Sequence, residues 1–309
     1  MYLRRKQDSR LKSIRNKIFL IFLMHMVCIR NIKKILLRIL FRNTMFAICI
    51  KHRWNKMQIL TMANRKGGTG KSTSVWAIGQ CLAHAGHRVL LVDADAQRNL
   101  TRCLPIVGAD KHLTSVVNGT ASLVDVMQAV GEKLWLVAAT DSLVAAEKVL
   151  GADMAYPMLF KNSLEGLENL FDYVLIDTPP SPNSPLSVAA LTASSKVFVP
   201  TQPELFSFEG VQSLLELVAK IKKNYNPGLT VGGIFLTKYS PTYRRNLHHG
   251  FVAMMKEHPE LGPLVMETTI RDNVAIAEAQ VQRQSLYQTA PQSNALVDYE
   301  TLTKEILAA

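Results

Sequence analysis

The chain has 309 residues, of which 48% are hydrophobic and 19% are charged, and its formal net charge is +12. This composition excludes an intrinsically disordered protein and is sufficient for a substantial core in one or two domains. The excess charge lies entirely in residues 1–56, which hold 15 Lys and Arg residues but one acid, whereas residues 57–309 have a net charge of −2. The four cysteines show no disulfide or zinc spacing, which fits a reducing compartment.

Residues 1–56 contain no Gly or Pro and mix Lys and Arg with large apolar residues. The apolar run from Ile18 to Ile29 is interrupted by His25 and is too short to span a bilayer comfortably. Three interpretations stay open: a dispensable extension or over-extended start before Met57, a basic amphipathic helix on an anionic membrane, and a nucleic-acid-binding arm. The abrupt change of composition at Met57 favours the first. A signal peptide is disfavoured because no A-x-A-like cleavage site follows.

A glycine-rich segment separates a predicted strand, Gln58 to Ala63, from a predicted helix, Ser74 to Ala85, that Gly86 closes. The segment reads Asn64-Arg65-Lys66-Gly67-Gly68-Thr69-Gly70-Lys71-Ser72-Thr73. Glycines allow successive backbone N–H groups to face one concavity, and a helix N-terminus favours anions. The segment therefore predicts a phosphate-binding loop in which Lys71 reaches the β- and γ-phosphates and the Ser72 hydroxyl binds Mg²⁺.

Two later apolar runs end in carboxylates. The strand Arg88 to Val92 precedes Asp93-Ala94-Asp95-Ala96-Gln97, and the strand from Phe171 ends in Asp177, followed by Thr-Pro-Pro-Ser. The carboxyl ends of parallel strands form the edge at which open α/β sheets bind ligands. Asp177 therefore has the character of a Walker B aspartate that holds magnesium.

Apolar runs alternate with helical periods along residues 57–309, which predicts βαβ units. The expected fold is an α/β P-loop NTPase with a mostly parallel twisted sheet and helices on both faces. Further predicted helices are Leu113 to Val117, Leu123 to Val130, Leu143 to Leu150, Val211 to Lys223 and Ala295 to Leu307. Further predicted strands are Leu134 to Ala138, Lys196 to Pro200 and Gly232 to Thr237.

The phosphate-binding loop departs from the pattern G-x-x-x-x-G-K-[ST], because Arg65 replaces the first glycine and Lys66 precedes the glycine pair. The resulting K-G-G-x-G-K-[ST] sequence resembles the deviant Walker A loop of the ParA/MinD family, in particular small Soj-like partition ATPases, and the resemblance covers residues 57–309. It implies ATP and Mg²⁺ as cofactors and a nucleotide-dependent homodimer in which Lys66 reaches the partner's phosphates. The implied nucleotide-binding residues are Lys66, Gly67, Gly68, Thr69, Gly70, Lys71, Ser72, Thr73 and, near the adenine, Thr237.

The segment from Asp93 to Gln97 is similar to the family's D-x-D-P-Q element, with Ala96 in place of proline. By this resemblance Asp95 positions the attacking water and Asp93 lies close to the magnesium. The implied catalytic residues are Lys66, Lys71 and Asp95, and the implied metal residues are Ser72, Asp93 and Asp177. The segment from Pro200 through Glu204 to Gly210 is similar to the family's P-x-x-x-E…E-G segment by the base and the dimer face.

The resemblance also implies sequence-independent DNA binding by an arginine, and Arg244 or Arg245 occupies the matching stretch. Residues 269–279 are similar to the family's I-P-R-N-V-R-L-x-E-A element, but Asp272 and Ala275 replace arginines and weaken this inference. Arg271, in place of the proline, is a third candidate contact. The implied task is segregation of plasmid or chromosome DNA, or positioning of another cargo, in a nucleoid-associated cytoplasmic protein whose hydrolysis a ParB-like or cargo adaptor protein stimulates.

Two alternatives belong to other classes. A MinD-type membrane-placed regulator would have to use residues 1–56, because the final helix carries acids and lacks a basic, apolar-faced tail. An iron–sulfur ATPase of the nitrogenase iron-protein kind shares the fold and Lys66 but needs paired cluster cysteines, of which Cys103 alone is near a suitable place. Cys81, His84 and His87 form a weak metal-binding pattern. The favoured interpretation is two surface histidines beside a buried thiol.

Overall fold

The structure is a computed structural model that describes residues 57–106, 112–181, 183–204, 207–244 and 246–309. The three interpretations of residues 1–56 and the DNA contact predicted for Arg245 lie outside these residues. The strands are β1 Gln58–Met62, β2 Val89–Asp93, β3 Met127–Gly131, β4 Leu134–Val137, β5 Tyr173–Asp177, β6 Lys196–Thr201, β7 Thr230–Thr237 and β8 Val265–Ile270. They form an eight-stranded sheet in the order β3-β4-β2-β5-β1-β6-β7-β8.

Neighbouring strands run parallel except for the antiparallel β3–β4 pair at one edge. Alternate residues of β2 enter different apolar clusters, since Val89 and Leu91 pack in one and Leu90 and Val92 in another. Successive strand residues point to opposite faces, so both faces of the sheet are covered. The predicted fold class is confirmed.

The helices that cover the sheet are mostly short. They are α1 Lys71–His84, α2 Asn99–Arg102, α3 Leu113–Val117, α4 Leu123–Val126, α5 Leu143–Leu150, α6 Leu159–Leu164, α7 Pro185–Ala193, α8 Ser207–Asn224, α9 Asn246–Glu257, α10 Val274–Gln282, α11 Leu286–Thr289 and α12 Asn294–Ala308. Short 3₁₀ turns occupy Tyr156–Met158 and Gly262–Leu264. Helix α1 begins at Lys71, three residues before the predicted start, which places Lys71 and Ser72 in its first turn.

The helix predicted from Leu123 to Val130 is wrong in its second half. A capping box between Ser122 and Asp125 starts α4, but the helix ends at Val126 and the chain continues as β3. This strand pairs with β4 across a tight turn in which Lys133 has a left-handed backbone with φ +57°. The edge of β4 has backbone N–H and C=O groups that need hydrogen-bond partners, and β3 supplies them. The local periodicity of apolar residues cannot reveal such a pairing.

The C-terminal helix α12 is part of the core. Its apolar side chains Leu296, Tyr299, Leu302 and Ile306 are buried in the same cluster as those of α1. The buried apolar face of this helix is therefore used for packing inside the domain. Within the described ranges, no helix combines the length and apolar character needed to cross a bilayer.

The packing between β6 and β7 gives a test of the sheet. A Cβ at Gly232 would overlap the ring of Phe198, which is fully buried. We expect Gly232→Ala to lower the free energy of unfolding by about 1–3 kcal/mol, because the ring cannot move without displacing its neighbours. Urea unfolding followed by circular dichroism measures this change.

Gly250→Ala is the matched control, because Gly250 lies on the exposed side of α9 with open space around its Cα. Alanine there should keep or raise the stability by up to about 1 kcal/mol, since it is the better helix former. Equal midpoints for Gly232→Ala and the wild type would contradict the strand packing described here.

Candidate nucleotide-binding site

The glycine-rich loop joins β1 to α1 in a conformation that requires glycine. Gly68 and Gly70 have left-handed backbones, with φ of +74° and +91°. Gly70 is also the residue that precedes the helix, and it has no side chain with which to cap the first N–H groups of α1. These donors remain available to an anion, and the helix dipole favours negative charge at the same place.

The loop is held from the neighbouring strands β6 and β7. Asn64 donates its side-chain amide to the carbonyl oxygen of Pro200 at 2.7 Å. The Gln202 amide donates to the carbonyl oxygen of Gly68 at 2.7 Å. The Thr237 hydroxyl donates to the carbonyl oxygen of Thr69 at 2.9 Å. Thr237, predicted as a nucleotide-binding residue, is thus buried against the loop.

The carboxylates of Asp93 and Asp177 lie side by side, because the two residues are partners in the parallel β2–β5 pair. Both residues are completely buried. Asp93 accepts hydrogen bonds from the backbone N–H and the hydroxyl of Thr101, at 2.8 and 2.7 Å, and from the backbone N–H of Asp95 at 3.2 Å. Neither carboxylate oxygen of Asp177 has a hydrogen-bond partner among the described residues. Asp177 therefore keeps acceptor capacity for a ligand, although the Ser72 hydroxyl is near enough to favour its charged form.

Burial dominates the electrostatics of this cluster. It raises the pKa of Asp177 well above its usual value, and the charge of Asp93 raises it further, whereas the Ser72 hydroxyl and the Lys71 ammonium oppose the shift. Burial also raises the pKa of Asp93 to about 6, against the hydrogen bonds from Thr101. The pKa of Lys71 is lowered by burial, although Asp177 and Asp95 attract its charge. The three buried carboxylates of Asp93, Asp95 and Asp177 outnumber the single Lys71 ammonium, which favours binding of a cation here.

The residues present fit magnesium. The unpartnered Asp177 carboxylate and the nearby Ser72 hydroxyl are oxygen ligands, which Mg²⁺ prefers. In the part of the chain that the structure describes, no group of three or more His, Cys, Asp or Glu residues could hold a metal by itself. Mg²⁺ usually takes one or two carboxylates and completes its shell with water and phosphate oxygens.

Lys66 extends away from the loop that contains it. Its ammonium forms an ion pair with the Glu204 carboxylate in the segment after β6, where both side chains are partly exposed. Its carbonyl oxygen accepts a hydrogen bond from the Lys71 ammonium at 3.2 Å. Lys71 is therefore held within the loop, whereas Lys66 lies at the surface beside it. The two lysines have different environments although both belong to one motif.

A cleft of about 730 Å³ opens beside the loop. Asp95, which accepts a hydrogen bond from the Gln97 backbone at 2.9 Å, lines one part of it. The opposite part contains residues that the sequence analysis did not assign to the nucleotide: Lys238, Ile270, Asp272, Asn273, Ile276 and Gln280. Lys238, Asp272 and Asn273 lie directly after β7 and β8 at the ligand edge of a parallel sheet, which is the signal that could have identified them.

The candidate DNA contacts are in different environments. Arg271 is bound to Asp298, with its Nη2 donating to Oδ1 at 2.6 Å and its Nε to Oδ2 at 3.0 Å. This pairing leaves the Arg271 guanidinium poorly placed to neutralise a DNA phosphate. Arg244 is exposed and forms no ion pair with another described residue.

The cysteines and histidines near α1 serve packing. Burial raises the pKa of the Cys81 thiol to about 11, and His84 stacks on Tyr287 with ring centroids 3.8 Å apart. Burial likewise raises the pKa of Cys103 to about 11, and its thiol donates to the carbonyl oxygen of Asn99 at 3.0 Å.

Comparisons with known sequences agree with this geometry. The family model AAA_31, described as an AAA domain, matches residues 57–231. Sporulation initiation inhibitor protein Soj of Bacillus subtilis (strain 168) is 34% identical over 254 residues, which cover 81% of this chain and 98% of that protein. Chromosome partitioning protein ParA of Caulobacter vibrioides is 35% identical over 230 residues, which cover 73% of this chain and 84% of that protein.

Solved structures are similar as well. Cobyrinic acid a,c-diamide synthase from Mycobacterium smegmatis with bound ADP and magnesium gives a TM-score of 0.67 at 27% identity, covering 81% of this chain and 94% of that chain. An ATP complex of a Cyanothece McdA variant gives a TM-score of 0.73 at 23% identity, covering 82% of this chain and 97% of that chain. The second likeness concerns the fold alone.

The buried carboxylate pair gives a test based on pH. The folded-state pKa of Asp177 lies above the unfolded value near 4, so the folded chain binds more protons and loses stability as the pH rises from about 4 through the folded pKa. We expect Asp177→Asn to stabilise the ligand-free chain by about 1 kcal/mol or more at pH 8, and by less at pH 5. Thermal denaturation in EDTA at both pH values measures the difference.

Asp93→Ala is the contrasting variant, because it removes an equally buried carboxylate whose oxygens have partners. It should destabilise the chain by about 1–3 kcal/mol, since the Thr101 donors lose their acceptor. An Asp177→Asn protein that is less stable than the wild type at pH 8 would show that Asp177 has an internal partner.

Proposed function

We propose that this chain, which belongs to the family of ParA-type partition ATPases, binds ATP with Mg²⁺ in the cleft and hydrolyses it to ADP and phosphate. The observation that carries the proposal is the buried, unpartnered Asp177 carboxylate beside the glycine-rich N-terminus of α1. A cation at Asp177 neutralises negative charge both on this carboxylate and on a phosphate chain bound to the loop. Residues 57–309 form the ATPase domain, and residues 1–56 are a basic and apolar N-terminal extension to it.

The residues around the phosphates have separate roles. Ser72 and Asp177 hold Mg²⁺, which when bound neutralises charge on the phosphates. Lys71 donates to the β- and γ-phosphates, and the backbone N–H groups of the loop complete the cradle. Asp93 acts indirectly. Its carboxylate accepts hydrogen bonds from the backbone N–H groups of Thr101 and Asp95, which fixes the turn that carries Asp95. Asp95 then accepts a hydrogen bond from the attacking water and orients it.

Two ATP-bound subunits face each other, with Lys66 of each reaching the phosphates of the other. The position of Lys66 supports this, since its ammonium lies outside the cradle and is held by Glu204 at the surface. A surface ion pair contributes little free energy, so exchange of the Glu204 carboxylate for a phosphate is favourable once that phosphate is desolvated between subunits. The loop therefore serves its own nucleotide through Lys71 and the partner's through Lys66.

The ATP-bound dimer binds DNA without sequence preference, and a ParB-like or cargo adaptor protein stimulates hydrolysis and release. Residues 57–309 carry a net charge of −2, so their affinity for DNA must come from local cations rather than from the average field. Arg244 is suited to this role because it is exposed and has no ion-pair partner among the described residues. The function is segregation of plasmid or chromosome DNA, or positioning of another cargo on the nucleoid.

The dimer can be tested with Lys66→Ala in a chain that also carries Asp95→Ala, which keeps ATP intact. We expect Asp95→Ala alone to be a dimer with ATP and Mg²⁺, and the double variant to be a monomer, because the cation across the interface is lost. Size-exclusion chromatography with light scattering gives the masses.

Arg65→Ala in the same background is the control for the dimer test. Arg65 precedes Lys66 but donates to the Ser213 hydroxyl at 2.7 Å, so its loss should leave the dimer intact. A dimer that survives Lys66→Ala would exclude the proposed role of this lysine while leaving ATP binding unaffected.

DNA binding can be tested with Arg244→Ala. We expect weaker retention of DNA of any sequence in the presence of ATP, and a slope of log K against log salt that is lower by about 1 per lost phosphate contact. Fluorescence anisotropy over a salt series measures both. Lys220→Ala, an exposed cation on α8, should leave the slope unchanged. Equal slopes for the wild type and Arg244→Ala would remove Arg244 from the DNA interface.

A further inference from the structure

The loop Arg271–Asn273 joins β8 to α10 and forms the wall of the cleft farthest from the cation site. The phosphate loop follows β1, and β8 lies three strands away on the side opposite to β5 and Asp177. With strands about 4.8 Å apart, the loop is about 14 Å across the sheet from the phosphate loop. If phosphates occupy the glycine-rich loop, as the proposed function requires, the base of the nucleotide lies between this wall and the end of β7.

The wall is attached to the C-terminal helix by one carboxylate. Asp298 of α12 accepts from the backbone N–H of Arg271 at 3.0 Å, and it also accepts the Nε and Nη2 groups of the same residue. Asp298 is only 7% exposed, whereas the Arg271 side chain is 34% exposed, so the contact is shielded from solvent on its carboxylate side. Charge-assisted, two-pronged contacts fix geometry as well as distance. The next residue, Tyr299, itself lines the cleft and lies 3.4 Å from the Ser74 hydroxyl on α1.

Two further contacts limit how the wall can move. The backbone N–H of Asp272 donates to the Tyr243 hydroxyl at 3.1 Å. The Asn273 side chain caps α10 by accepting from the Ala275 backbone at 3.0 Å. The wall is thus supported at Asp272 and Asn273 by neighbouring segments, whereas its first residue, Arg271, is fixed by Asp298.

We propose that Asp298 is a positioning residue for the base of the bound nucleotide. It holds Arg271, and through Arg271 the wall of the cleft, at the distance at which a purine contacts it. The C-terminal helix therefore contributes to nucleotide affinity, although it lies far along the chain from the loop that binds the phosphates. Loss of the carboxylate charge releases the guanidinium and widens the base end, while the phosphate end keeps its own contacts.

The test separates the base from the phosphates by using two ligands, ATP and inorganic tripolyphosphate, each with Mg²⁺. In the full chain, Asp298→Asn should weaken ATP binding about tenfold, as expected for the loss of one charge-assisted contact. Its affinity for tripolyphosphate should equal that of the wild type, because this ligand has no base. Isothermal titration calorimetry measures both dissociation constants.

Glu305→Gln is the matched control. Glu305 lies on the same helix and accepts backbone N–H groups of Glu267 and Thr268 at 2.8 and 2.9 Å, and none of these three residues lines the cleft. This variant should bind both ligands like the wild type. Arg271→Lys keeps the charge and the backbone hydrogen bond but loses the planar fork, and it should reproduce the selective loss of ATP affinity.

Unchanged ATP binding by Asp298→Asn and Arg271→Lys would overturn the inference, and so would an equal weakening of both ligands. A selective loss in Glu305→Gln as well would assign the effect to helix packing and overturn it too. A wild-type chain that binds neither ligand would overturn the proposed function itself, so the two failures are distinguishable.

Discussion

The parallel register of β2 with β5 places two fully buried carboxylates, Asp93 and Asp177, against each other, and much of the surrounding structure answers this constraint. Burying charge in this way is unfavourable unless each group has partners. Thr101 satisfies Asp93 and in doing so shapes the turn that carries Asp95. Among the residues that the structure describes, the Ser72 hydroxyl and the Lys71 ammonium offset the charge of Asp177. The carboxylate of Asp177 is thus an unfavourably buried group at the carboxyl edge of the sheet.

The parts of the fold that local sequence determines were predictable. Continuous apolar runs that end in aspartate indicated buried parallel strands, and the glycine pattern indicated the loop, because glycine alone adopts the backbone found at Gly68 and Gly70 without strain. Strand β3 was not predictable in this way. Its apolar residues from Met127 to Val130 suit a helix or a strand, and the free edge of β4 decided between them.

The candidate site likewise has a part that local sequence determines and a part that tertiary contacts determine. The loop side of the cleft is encoded by one contiguous motif and by Asp177, whereas the opposite wall is assembled from β7, β8 and α12, where the sequence analysis assigned only Thr237 to the nucleotide. The pairing of Arg271 with Asp298 joins residues far apart in the chain, and it gives a structural role to an arginine that sequence alone associated with DNA. The ion pair of Lys66 with Glu204 is also non-local. The spacing of residues in a sequence reveals a site only where the residues of that site are close together in the chain.

The hydrogen bond from Asp272 to the Tyr243 hydroxyl joins the cleft wall to the residue immediately before Arg244. Coupling between two binding sites is reciprocal. If a bound nucleotide changes the affinity of the Arg244 surface for a polyanion, a polyanion bound there changes the affinity for the nucleotide by the same factor. If DNA binds at Arg244, as the proposed function requires, the contact at Tyr243 gives one physical route by which nucleotide and DNA change each other's affinity.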